Sequence, residues 1–187
     1  MTAMKARRQL WMIATAVLSG ALCCPAQMAS APEHQVKAAF LFNFAKFVMW
    51  PPEAFADGKK PMKLCVVGRD PLGDELARMI AGKSVRDHPL EFSRITEPAA
   101  ARGCHMVYIG QEWGKSRDYI AATRGAPVLT VGEVPDFVAA GGVINLVMEN
   151  DQVRFEINLD SANAAGLKIS SRLLTLARNV YVGKWNP

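Results

Sequence analysis

The chain has 187 residues, half of them apolar and 21% charged, with a formal net charge of +5. That length and balance describe one domain with a sizeable core and exclude a disordered chain. Much of the positive charge sits at the N-terminus, which leaves no electrostatic case for nucleic acid; that would call for Lys and Arg clustered on the folded part.

Lys5, Arg7 and Arg8 precede the apolar run LWMIATAVLSGALCC, and a proline and small residues follow. This is the order of a secretory signal, and the run is shorter than the about 20 residues of a membrane span. Residues 1–26 are therefore read as a signal peptide, cut after Ala26. The competing readings are a retained membrane anchor, a cut after Ala31 that Pro32 would hinder, and lipidation at Cys23 or Cys24. Leu22 and Cys23 are poor residues to precede a lipidated cysteine. Loss of residues 1–26 lowers the formal charge to +2.

VKAAFLFNFAKFVMWP, residues 36–51, reads as a helix. At 100° per residue Val36, Phe40, Phe44, Phe47 and Val48 share one face, and Pro51 and Pro52 end it. Phe42 and Met49 point away from that stripe and need cover from a second layer or a partner. Lys37 and Lys46 argue against hydrocarbon on all sides. MKLCVVG is a buried strand, and DPLGDELARMIAG a helix with Leu72, Leu76, Met79 and Ile80 at three- and four-residue steps. LEFSRI and HMVYIG are strands, KSRDYIAATRG is a helix closed by Gly125, and APVLTVGE is a strand. GGVINLVMENDQVRFEIN is a hairpin turning at Asn150 and Asp151; Val153, Phe155 and Ile157 alternate with polar residues. ISSRLLTLARNVYV is a helix capped by Ser170 or Ser171, with Leu173, Leu176 and Val180 as its stripe. Alternating strands and helices predict a single α/β domain over residues 33–187. Its sheet is largely parallel and flanked by helices, with an antiparallel hairpin near the C-terminus.

Beyond the signal two cysteines remain, Cys65 and Cys104. In an exported compartment two cysteines usually pair, closing a loop of about 40 residues. Two buried free thiols are the alternative. A metal site is disfavoured, because His105 beside Cys104 is joined by no further ligand at metal spacing.

No motif carries catalysis or a cofactor. Gly68 and Gly73 in GRDPLGDE have the outer spacing of a phosphate loop, but Asp74 and Glu75 stand where Lys and Ser or Thr are needed. GKS at Gly82 to Ser84 lacks the earlier glycine, Ala77 standing there. No G-x-S-x-G occurs. His34, His88 and His105 read as structural or solvated. Glu149 and Asp151 read as turn, and Glu156 and Asp160 as a solvated face. An enzyme is not expected, and neither is a cofactor or a metal.

KAAFLFNFAKFVMWP, PMKLCVVGRDPLG, GCHMVYIG, PVLTVGE, the hairpin sequence and AGLKISSRLLTLA together resemble the YfiR/HmsC family of periplasmic proteins, in the family's order. The resemblance covers nearly all of the chain after the signal. It implies a periplasmic repressor that binds the periplasmic region of an inner-membrane diguanylate cyclase and so lowers cyclic di-GMP, exopolysaccharide and biofilm. It also implies sequestration by an outer-membrane lipoprotein with a peptidoglycan-binding domain. Cys65 and Cys104 match the family's bridged pair. Val143, Asn145 and Met148 stand in the region where some members carry a second pair, which puts redox control through a second bridge in doubt. Phe42 and Met49 are the candidate surface for this partner or for a homodimer, since aromatic residues are enriched in interface cores. The alternative is a sensor holding a small ligand at the carboxyl ends of the strands.

Overall fold

A computed structural model describes residues 31–55, 60–68, 70–111 and 113–183. The signal-peptide reading of residues 1–26 lies outside the described residues. In chain order the elements are α1 (Glu33–Phe47), β1 (Val48–Met49), β2 (Met62–Val67), α2 (Pro71–Ile80), β3 (Ser84–Val85), β4 (His88–Ile95) and β5 (Met106–Ile109). There follow α3 (Trp113–Thr123), β6 (Leu129–Gly132), β7 (Ile144–Glu149), β8 (Gln152–Asn158), α4 (Leu159–Ala164), β9 (Lys168–Ile169), α5 (Ser171–Leu176) and β10 (Asn179–Tyr181). Short 3-10 turns lie at Pro52–Ala54 and Pro98–Gly103.

The main sheet runs β10-β8-β7-β6-β5-β2-β4-β3, and β1 and β9 form a separate ribbon. The inner strands β4, β2, β5, β6 and β7 are parallel, whereas β8 is antiparallel to β7 and β3 to β4. This is the expected α/β class with its antiparallel C-terminal hairpin. Asn150 and Asp151 turn that hairpin with φ of 50° and 58°, a left-handed pair that short polar side chains tolerate.

β5 and β6 are buried on both faces and β2 nearly so, and their sequences read as apolar runs; β4, nearer the edge, is half-buried or exposed up to the buried Ile95. Met62, Leu64, Val66, Met106 and Tyr108 join one core with α1 and α2. Cys65, Val107 and Ile109 join a second core with Tyr119 and Ile120 of α3. Asp70 starts α2 by accepting the Leu72 N–H at 2.8 Å, with Pro71 as the first helical residue.

Two readings at the helices are corrected. The first helix ends at Phe47; Val48 and Met49 are extended and pair with Ile169 and Lys168. A β-branched Val48 favours extended backbone once a partner strand is offered, and Pro51 disfavours helix at Trp50 just beyond the pair. The buried side of α1 is Lys37, Ala38, Leu41, Phe44 and Ala45, with Phe40 and Phe47 half-buried at its margin. Phe40 and Phe44 both pack edge-on against Phe155 of β8, at 5.7 and 5.2 Å between ring centres. At the other end Ser170 does cap a helix, its hydroxyl accepting the Leu173 N–H at 3.3 Å. That helix stops at Leu176, which is 60% exposed, and residues 179–181 instead add a parallel edge strand to β8. Arg178 sets the crossing by pairing with Glu149 and Glu156 of the hairpin.

Candidate functional site

The order of the inner strands reverses between β2 and β5: the chain leaves β2 for β4 on one side, then returns past β2 to β5 and continues outward. At such a switch the two flanking connections part, leaving a crevice beyond the carboxyl ends of the strands. Asp70 follows β2 there, Tyr108 lies near the end of β5, Glu133 follows β6, and Glu33 and Lys37 occupy the first turns of α1. Cavities of 210 and 290 Å³ open at this place and share Glu33, Lys37 and Glu133 in their walls.

Lys37 is the centre of the crevice. Its ammonium pairs with Glu133 and, at 2.5 Å, with Glu33 one helical turn earlier. The Lys37 and Glu133 side chains are 10% and 8% exposed, while Glu33 is half-exposed. Burial works against the Lys37 charge, but the bonds to the two carboxylates outweigh it and hold its pKa above the usual lysine value. Burial, reinforced by the charge of Glu133, pushes the Tyr108 phenol far up, so it stays protonated and hydrogen-bonds Glu133. Neither group is a base at neutral pH. The network is therefore suited to holding charge and shape rather than to moving protons.

The loop after β6 that carries Glu133 is fixed from below. Phe137 is fully buried between Gly132 and Gly142, where a methyl group on either glycine would overlap its ring. The Val134 N–H donates to Asn145 Oδ1 at 3.2 Å. On the other side Arg94 of β4 braces the β2–α2 loop, donating to the Gly68 carbonyl at 3.2 Å and to Asp74 at 2.6 Å. The carboxylates of the would-be phosphate loop are thus engaged by arginines, Asp74 with Arg94 and Glu75 with Arg78.

Cys65 and Cys104 are joined in a disulfide with Cα atoms 6.1 Å apart, both within the α3-side core. The bridge ties β2 to the start of β5 and so pins the strands that form the switch. Next to it, His105 accepts the Lys63 N–H through Nδ1 at 2.9 Å and donates from Nε2 to the Ala54 carbonyl at 3.1 Å. Phe55 lies stacked between His105 and His88, at 4.5 and 3.7 Å. Burial lowers the His105 pKa below its ordinary value. Among the described residues no group of three or more His, Cys, Asp or Glu side chains gathers as a metal site, and no helix is long and apolar enough to cross a membrane.

A sequence model of the YfiR/HmsC-like family matches residues 34–178. The chain belongs to the YfiR/HmsC-like family. Membership supports the coarse reading of a periplasmic regulatory protein. Among solved structures, a conserved domain protein from Vibrio cholerae O1 biovar El Tor strain N16961 aligns with 80% of this chain at 13% identity and a TM-score of 0.55. The YfiR/HmsC-like chain spans 60% of the length of that protein, and the likeness is one of fold alone. The ABC domain of a Streptococcus pneumonia protein, solved in complex with L-Trp, aligns with 64% of the chain and 55% of its own at 8% identity and a TM-score of 0.46, too distant to bear on this one.

Of the surface residues singled out in this YfiR/HmsC-like sequence, Met49 is exposed on β1, whereas Phe42 is half-buried. Lys46 and Lys83 place their ammonium groups 4.7 and 4.8 Å from the centre of the Phe42 ring. The crevice residues Lys37, Tyr108 and Glu133 were not singled out by sequence. The available signal was Lys37 itself, a charge in an otherwise apolar helix stretch that has to find a partner, together with a carboxylate directly after a buried strand.

Proposed function

We propose that this protein is a periplasmic regulator that binds the periplasmic region of an inner-membrane diguanylate cyclase and represses it, lowering cyclic di-GMP and with it exopolysaccharide and biofilm. The observation that carries this reading is the family match over residues 34–178. A single domain with one bridge closing its switch strands suits a rigid binding partner. An outer-membrane peptidoglycan-binding lipoprotein that sequesters it is part of the same proposal. Phe42 and Met49 belong to the proposed contact with the cyclase or with a second copy of the chain. The test is cellular cyclic di-GMP in a strain lacking the gene, its parent and a complemented strain. A rise reversed by complementation is expected, and unchanged levels while the protein is made in the parent would sink the reading.

The crevice favours a second reading, a sensor whose small ligand is held at the switch of the sheet by Glu33, Lys37 and Glu133. A ligand that binds only the native state raises its melting temperature. A metabolite screen by melting, repeated on Lys37→Met, tests it: a hit indifferent to that substitution counts against this crevice.

A further inference from the structure

The surface around the C-terminal turns of α1 carries an excess of unneutralised positive charge. Lys46, Lys83, Arg86, Lys168 and Arg172 are all exposed, and shared contacts link them into one face. Lys46 and Lys83 sit over the Phe42 ring. Lys46 and Arg172 flank the Phe47 ring at 6.0 and 5.5 Å. Arg86 reaches from the β3–β4 turn to donate to the Val48 and Lys46 carbonyls at 3.2 and 3.3 Å. Lys168 stands opposite Met49 in the β1–β9 ribbon.

None of the five pairs with a carboxylate among the described residues, whereas Lys37, Lys63, Arg78, Arg94 and Arg178 all do. The acidic residue nearest in sequence is Asp87, which follows Arg86 in its turn. A dipole explains Lys46, which lies in the last turn of α1. It does not explain the others, which come from the α2–β3 connection, the β3–β4 turn, β9 and α5. Lys46 and Lys83 share one ring, so their charges lie within about 10 Å of each other, close to one Debye length in ordinary salt. Such a face repels itself until an anionic surface covers it.

We propose that this cationic face is the surface through which the protein binds its regulatory target, and that the target presents a complementary acidic protein surface. The inference rests on the regulatory reading above and deepens it. A protein fits better than a bilayer. Membrane-surface binding buries protruding aromatic or aliphatic tips, and here both aromatic rings of the face, Phe42 and Phe47, are half-buried beneath cations; the exposed large apolar side chains are Met49 and, one turn beyond Arg172 on α5, Leu176. Arg172, the two phenylalanine rings and Met49 are residue types enriched in protein interface cores, and the three lysines suit the charged rim that steers a partner of opposite sign.

The test uses the full chain with Lys46→Glu, Lys83→Glu, Lys168→Glu and Arg172→Glu combined, Arg86 being left because it bonds the backbone. The combined variant is expected to accumulate like the parent protein and to leave cyclic di-GMP as high as in the strain lacking the gene. Full repression by a variant that accumulates normally overturns the proposal. Should the combined variant fail to accumulate, the same positions changed to Gln decide by the same criterion, with at least half of the repression expected to be lost. A second arm titrates purified protein with a Glu- and Asp-rich peptide carrying one Trp, and with vesicles of phosphatidylethanolamine and phosphatidylglycerol. Peptide binding that weakens roughly tenfold or more from low to physiological salt, and is absent in the variant, supports an acidic partner. Binding to the vesicles but not to the peptide overturns it in favour of lipid. If the gene proves not to affect cyclic di-GMP while peptide binding stands, the regulatory reading falls and the surface survives; the reverse result removes the surface alone.

Discussion

Replacing Lys37 with methionine keeps the apolar stem and removes the ammonium from the centre of the crevice. Glu133, whose side chain is 8% exposed, then keeps the Tyr108 hydroxyl but loses its cation. Glu33 matters less, because a half-exposed carboxylate is well hydrated by itself. Breaking a buried pair by removing one partner costs about 3–5 kcal/mol, chiefly through the charge left behind. At about 2–4 °C per kcal/mol for a domain of this size, the melting temperature should fall by about 6–20 °C. Urea unfolding and calorimetry on Lys37→Met, Glu133→Gln and the double variant form the assay. Glu133→Gln alone should cost less than Lys37→Met, because Lys37 retains Glu33. The double variant should recover most of the loss, since the stranded charge is gone. A Lys37→Met cost under about 1 kcal/mol, or a double variant no better than Lys37→Met alone, would refute the reasoning, for it would mean that water reaches Glu133 freely.

Replacing both Cys65 and Cys104 with alanine opens a bridge between residues 39 apart, which the chain-entropy model places at about 4 kcal/mol; the melting temperature of the oxidised protein should exceed that of the variant by about 8–16 °C. His105 has a lowered folded pKa, so its contribution is present above the unfolded value of 6.5 and is lost as pH falls below it, when the unfolded chain takes the proton first. Stability measured by urea should therefore decline on acidification below about 6.5, and His105→Asn should show a shallower decline across that window. Gly142→Ala drives a methyl group into the Phe137 ring and should destabilise by about 1–3 kcal/mol or more. Normal stability in that variant would show that the loop carrying Glu133 can yield without cost.

The parallel strands, the hairpin and the cap of the last helix were legible from the chain because each is specified locally. Buried strands are short apolar runs, the hairpin alternates with a period of two around Asn150 and Asp151, and Ser170 sits one residue before its helix; the Asp70 cap of α2 was not read from the sequence. Two pieces were misread for one reason. Val48–Met49 and Asn179–Tyr181 are strands of two and three residues whose partners, β9 and β8, are remote in sequence or belong to another element. So short a segment has no period of its own, and the available edge decides its conformation.

The candidate crevice and the cationic face were less legible still. Lys37 and Glu133 are nearly a hundred residues apart and meet only because the strand order turns between β2 and β5. Phe42 looked like an exposed ring on the far side of a helix, and became half-buried once Lys83 arrived from another connection. By itself the sequence determined the α/β class, most element positions and the pairing partners available to its cysteines, which follow from local pattern and composition, and the family, which follows from the resemblance of its sequence blocks. Only the tertiary structure decided which charges lie buried against one another and which stand exposed without a counterion. A charge's environment depends on the groups within a few ångströms in space, and local pattern carries no record of them.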